Sequence, residues 1–244
     1  VMRHAAPNGA SAHPAPDQAV LSDRYREMPY WWVAAPPEQV AQAPADIGGT
    51  VDVAIVGGGV TGSVAALQLA RHGVSVTVFD KEGLGEGAAR RNAGFLGRTL
   101  KRSLSWLEAH HGVGYAAGVY RELDEARAGL ADLVRAEGID CHLQQCGRVI
   151  CANSDAHRRE LIDDLQYMKT RLGFPYEVLD RSDLHREIAS DAYAGGAVVP
   201  DLGSIHPGLY HEGLVRAARA AGRVETRRAD CVTPTPETAR CHAD

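Results

Sequence analysis

Residues 51–80 read VDVAIVGGGVTGSVAALQLARHGVSVTVFD, and this stretch decides the fold. Val51 to Val56 is a short apolar run that ends in three glycines, the pattern of a buried parallel strand. Gly62 to His72 carries Val64, Ala65, Leu67, Leu69 and Ala70 as an apolar helical pattern and stops at Gly73. Val74 to Phe79 is a second strand, rich in β-branched residues. A strand, a helix and a strand in so short a span require a parallel pair with a right-handed crossover.

The turn between strand and helix, Gly57-Gly58-Gly59-Val60-Thr61-Gly62, fits G-x-G-x-x-G and stands where that pattern has meaning. Gly57 permits the tight turn. Gly59 lets the backbone approach a pyrophosphate, and Gly62 lets the helix pack on the strand. The helix start supplies unpaired N–H groups and partial positive charge for an anion. Asp80, at the end of the second strand, can accept hydrogen bonds from an adenosine ribose. The expected dinucleotide contacts are therefore Val56, Gly57, Gly58, Gly59, Val60, Thr61, Gly62, Asp80 and Lys81.

This fingerprint is common to FAD and NAD sites, and the next segment separates them. A simple NAD domain would pass from the second strand into a helix and a third strand. Here Gly83 to Gly97 instead holds five glycines together with Arg90, Arg91 and Asn92. Its backbone must approach something closely, which suits a longer cofactor whose second phosphate and ribityl chain lie across it.

Downstream, Val119, Leu123, Ala126, Leu130 and Leu133 repeat at helical spacing up to Gly138. A strand is expected at Arg148 to Ala152. A helix through Leu161, Leu165, Met168 and Leu172 should end at Gly173, and Ser182 should cap a short helix to Ile188. Gly196 to Val199 reads as a strand, Pro207 to Gly222 as a helix, and Val224 to Val232 as a last strand. Tyr30-Trp31-Trp32 with Pro36-Pro37 is expected to be extended and packed onto the body. Val1 to Val20 reads as disordered and Thr233 to Asp244 as loose.

The net charge of −5 does not suggest a nucleic-acid partner. No apolar run reaches membrane-span length. Five cysteines without CxxC spacing and no signal peptide point to free thiols in a reducing cytoplasm, with no metal site. His110-His111 and His206 read as helix-end residues. Arg98, Lys101 and Arg102 read as a solvated face.

Three stretches carry a resemblance to the D-amino-acid oxidase superfamily of FAD-dependent oxidoreductases, in the branch with glycine oxidase and γ-glutamylputrescine oxidoreductase. They are Val53 to Glu82, GEGAARRNAGFL from Gly85 to Leu96, and GGAVVPDLGSIHPGLYHEGLVRAARAAG from Gly195 to Gly222. The second is similar to the family's G-A-S-x-R-N-x-G flavin loop, with Ala89 where the family usually has Ser. The resemblance implies FAD as cofactor, with Ala89, Arg90, Arg91, Asn92, Ala93 and Gly94 near the flavin and the backbone of Val232 near adenine.

It further implies an α/β fold: a Rossmann-like FAD-binding domain with a parallel sheet, from residues 50–100 and 196–233, plus part of an α+β substrate domain, 101–195. An N-terminal extension (1–49) and a loose tail (234–244) flank them. The implied reaction oxidises the C–N bond of a small amine or amino acid by hydride transfer to flavin. Family members continue well past this length, so the chain reads as C-terminally truncated, with no catalytic side chain found and a partner chain expected to complete the fold. Two other readings stand beside this one: an NAD-dependent dehydrogenase, and an inactive nucleotide-binding fragment or one subunit of a split flavoenzyme.

Overall fold

The structure is a computed structural model and describes residues 22, 24–39, 51–98, 100–200, 202–222, 224–231 and 241–242. The expected disorder of Val1 to Val20 and the role of Val232 lie outside the described residues, as does most of the tail.

The predicted strand–helix–strand unit is present. β1 (Val53–Val56) leads into α1 (Val60–Arg71), and β2 (Val76–Asp80) lies parallel to β1 in register Val53 with Val76 through Val56 with Phe79. The helix stops because Gly73 takes φ +76°, a conformation side chains disfavour. Next comes β3 (Phe95–Leu96), then α2 (Leu104–His111) and α3 (Val113–Ala136). β4 (Arg148–Cys151) and α4 (Asp155–Leu172) follow, then β5 (Glu177–Leu179), β6 (Gly196–Val199) and β7 (Gly203–Ser204). α5 (Pro207–Ala220), β8 (Val224–Arg228), β9 (Asp230–Cys231) and β10 (Cys241–His242) complete the order.

β8 pairs in parallel with β2 on the side away from β1, so the parallel sheet runs β1-β2-β8. The central position of β2 explains its buried, β-branched sequence. Val76 and Val78 share one face of β2 and pack with Ala66 and Leu67 of α1 and Ala217 and Ala218 of α5. Two helices, distant in sequence, thus cover one face together.

The intervening chain builds a second, antiparallel sheet in the order β4-β6-β5, packed on α4 through Leu165, Phe174, Ala197 and Val199. The strand at Gly196–Val199, grouped by sequence with the nucleotide half, pairs here with β4 and β5. α2 and α3 close on each other around Leu104, Leu107, Ala116 and Tyr120.

Four expectations are corrected. Tyr30 to Val33 is a 3-10 turn, not extended chain, because Trp32 and Ala35 donate back to Pro29 and Trp31 carbonyls. Ser182 makes no side-chain cap; the short turn Asp183–Arg186 is held by amides bonding to the Asp180 carbonyl. Arg98 is buried, bonded to Asp124 at 2.9 Å and lying 4.4 Å from the Phe174 ring centre, rather than solvated. Two tail residues, Cys241–His242, pair with Asp230–Cys231.

Among the described residues no strand pairs with the outer edge of β1, where Val56 is 62% exposed. An open edge carrying apolar side chains templates association. The purified chain is expected to elute above monomer size in light-scattering chromatography, and Val56→Lys to move it toward monomer. A monodisperse unaltered monomer would contradict this.

Candidate cofactor site

The glycine turn is built by backbone hydrogen bonds at both ends. Gly57, at φ +96°, donates to the Phe79 carbonyl at 2.7 Å, tying the end of β1 to β2. Ser63 donates to the Gly59 carbonyl at 2.9 Å, closing the first turn of α1. Gly59 is the N-cap and supplies no side-chain cap, so the helix-start donors remain available. A Cβ on Gly59, or on Gly57, would meet no atom within 4 Å. On Gly62 it would overlap the Gly57 carbonyl oxygen and lie 3.2 Å from Ile55. The turn is thus closed on its inner side and open on its outer side, as a backbone cradle for a phosphate must be.

Asp80 sits at the end of β2 beside this turn. Its carboxylate accepts from Gly58 N at 2.7 Å and from Glu82 N at 3.2 Å. Val60 packs inward, Thr61 is exposed on the first helical turn, and Val56 is exposed at the strand end. Lys81 is exposed, and its carbonyl accepts from Arg228.

The loop expected to meet the flavin splits into two groups. Asn92, Ala93 and Phe95 are exposed, and Ala89 is half-buried. Asn92 shapes the loop: its amide donates to the Ala88 and Ala89 carbonyls, and its oxygen accepts from Gly94 N at 2.8 Å. β3 then pairs antiparallel with β7, carrying the loop's exit to the start of α5. Ala93 and Phe95, with Trp31, His142, Ser204 and His206, line an open cleft of about 520 Å³, roomy enough for a ring system.

Arg90 and Arg91 bond to groups of the protein itself. Arg91 donates to the Glu86 carbonyl, with its guanidinium 4.7 Å from the Trp32 ring centre. Arg90 is 2% exposed and bonds to the Ala35 and Pro36 carbonyls and to His211 Nδ1. The resemblance to the family's flavin loop implies that both lie near the flavin; in the structure they bond to the Ala35, Pro36 and Glu86 carbonyls and to His211.

His211 was missed, because one histidine on an amphipathic helix carries no pattern. It is fully buried on α5. Gly58 O can only accept, so His211 Nε2 carries the proton and donates to it at 2.7 Å, while Nδ1 accepts from Arg90. Burial lowers the His211 pKa to about 4, and the Arg90 charge pushes the same way against the Gly58 bond and Asp80.

The unfolded chain therefore takes up this proton below about pH 6.5, while the folded chain resists it down to about pH 4. The contribution is complete above the unfolded value and is lost as pH falls through that window, up to roughly 3 kcal/mol. Thermal unfolding is expected to fall more steeply from pH 7 to pH 5 in the unaltered chain than in His211→Gln. Equal slopes would contradict it.

His206, also near this region, acts as the cap the sequence suggested. Its Nδ1 accepts from Leu209 N at 3.1 Å, and burial lowers its pKa.

The family model described as FAD dependent oxidoreductase (DAO) matches residues 52–235. The chain belongs to the FAD-dependent oxidoreductase family. It is similar to γ-glutamylputrescine oxidoreductase of Escherichia coli (strain K12), 31% identical over 158 residues, covering 65% of this chain and 37% of that protein. It is also similar to glycine oxidase of Geobacillus kaustophilus (strain HTA426), 29% identical over 174 residues, covering 70% of this chain and 44% of that one. The crystal structure of glycine oxidase from Geobacillus kaustophilus superposes with TM-score 0.60 at 26% identity, covering 74% of this chain and 47% of that chain. The chain thus spans less than half the length of these family relatives. FAD is the family's cofactor, and the outward-open glycine turn with Asp80 beside it fits the ADP end of that cofactor.

Proposed function

We propose that this chain supplies the ADP-binding half of an oxidoreductase that oxidises the C–N bond of a small amine or amino acid. The observation that carries the reading is the uncapped, outward-open start of α1 with Asp80 beside it, followed by a loop whose residues Ala93 and Phe95 border a cleft. The relatives named for γ-glutamylputrescine and glycine support the substrate class.

When bound, FAD would accept the hydrogen on the nitrogen-bearing carbon together with its electron pair, leaving a C=N bond that water hydrolyses. The protein's part is positional. Gly57 to Gly62 and Asp80 hold the ADP end, with Val56 and Lys81 at the margins of that contact. Asn92, Ala93 and Gly94 would line the path toward the flavin, with Ala89 behind them. Neutral His206, with its proton on Nε2, borders the cleft beside Trp31 and Phe95 and could offer that N–H to a bound group.

The division into an FAD-binding domain (50–100, 196–233) and a partial substrate domain (101–195) belongs to the same reading, with Gly196–Val199 moved to the latter because it pairs with β4 and β5, as does a cytoplasmic setting, which the free thiols of Cys141, Cys146 and Cys151 suit. No helix among the described residues is long and apolar enough to cross a membrane. A partner chain covering the open edge of β1 would supply the other wall of the site.

The test is flavin reconstitution followed by anaerobic addition of a panel of amines and amino acids. Retained flavin that bleaches with one class of amine supports the reading. Preferential binding of NAD with no affinity for FAD would replace it with the dehydrogenase alternative.

A further inference from the structure

The segment before the dinucleotide unit wraps onto the cofactor loop from several directions. Trp31 Nε1 donates to the Asn92 carbonyl at 2.7 Å, and Arg91 stacks over Trp32. Leu84 N donates to the Glu38 carbonyl at 3.2 Å, and Arg219 of α5 holds the Glu38 carboxylate through Nη1. Ala35 is fully buried. At the centre, Arg90 Nη1 bonds to the Ala35 and Pro36 carbonyls at 2.9 and 2.8 Å, while its Nε donates to His211 at 3.2 Å. His211 passes this arrangement on to the Gly58 carbonyl, which Ser63 Oγ also approaches at 3.4 Å.

The carbonyl and N–H of one trans peptide point in opposite directions. With the Gly58 carbonyl drawn inward to buried His211, the N–H of Gly59 is aimed outward, over the open side of the turn. Asp80 holds the N–H of Gly58, in the preceding peptide, so Gly58 is fixed on both sides and the Gly58–Gly59 peptide has little freedom to rotate.

We propose that Tyr30 to Glu38 is a strap that, through Arg90 and His211, orients the Gly58–Gly59 peptide toward the pyrophosphate of the cofactor. Arg90 and His211 are positioning residues that never touch the ligand. The proposal rests on the FAD reading, and by linkage it is reciprocal: a ligand on the turn must tighten the strap.

ADP is the discriminating probe, because it reaches the fingerprint but carries no flavin to touch Trp31 directly. In the unaltered full chain, ADP is expected to slow amide exchange across residues 30–38. Arg90→Met and His211→Leu are expected to remove that slowing and to weaken ADP binding about tenfold, the scale of one lost polar contact. His211→Gln, which keeps a donor for Gly58, is expected to recover most of the affinity. Trp31→Phe, which removes the bond to Asn92 while keeping an aromatic ring beside Tyr30 and His206, should diminish the slowing without altering the fold.

ADP binding with unchanged exchange over 30–38 would overturn the proposal alone, as would undiminished affinity in Arg90→Met and His211→Leu. Should those two variants fail to fold, the exchange result on the unaltered chain decides by itself. No binding of either ADP or FAD by the unaltered chain would overturn the cofactor reading and the proposal with it.

Discussion

Gly59→Asp is expected to abolish FAD binding while leaving the chain as stable as before, or slightly more so. Gly59 is the N-cap of α1, with φ −75° and ψ −169°, an extended conformation that aspartate adopts freely. A Cβ there meets no atom within 4 Å. The new carboxylate would accept hydrogen bonds from the uncapped N–H groups and meet the positive end of the helix, a gain of a few tenths to about 1 kcal/mol. Those are the donors a pyrophosphate needs. Two anions about 4 Å apart in a partly screened site repel by roughly 4 kcal/mol, so affinity should fall at least about a hundredfold. Flavin titration beside a denaturant melt checks both signs. Retained flavin would show that the helix start is not the phosphate site.

Gly62→Val should act in the opposite way, through the fold itself. The added Cβ overlaps the carbonyl oxygen of Gly57, a backbone atom. That turn has no room to move, because Gly57 N is bonded to Phe79 O at 2.7 Å and Gly58 N to Asp80. Helix α1 would have to shift from β1, opening the cluster around Leu67, Val76 and Val78. Overpacking against backbone at such a junction is expected to cost about 4 kcal/mol, at the upper end for single substitutions. Both the denaturation midpoint and flavin binding should collapse together. A stable variant that merely loses flavin would mean the helix and strand are not clamped as described.

The two glycines share one motif and differ only in which side of the turn they face. The spacing in Gly57 to Gly62 distinguishes their roles from sequence, because each role follows from local backbone geometry. The same holds for the strands and helices around them: apolar periodicity and turn chemistry specify β1, α1 and β2, and likewise α5 beside them and α4 on the second sheet, through interactions within a few residues. The FAD family was also legible, since the fingerprint, Asp80 and the glycine-rich loop lie within one stretch of chain.

What the linear chain could not reveal is which polar groups meet across it. Arg90 belongs to a loop motif, and its motif suggests a cofactor contact; its burial against Ala35 and Pro36 depends on a segment more than fifty residues away. His211 lies 153 residues from the Gly58 carbonyl it holds. The pairing of β3 with β7, and of Gly196–Val199 with the antiparallel sheet, likewise joins stretches with no local signal for each other. Sequence by itself determined the dinucleotide unit, because periodicity and turn chemistry act over a few residues. Tertiary structure alone decided how that unit is braced, because a buried charge or imidazole must find its partner wherever packing brings one.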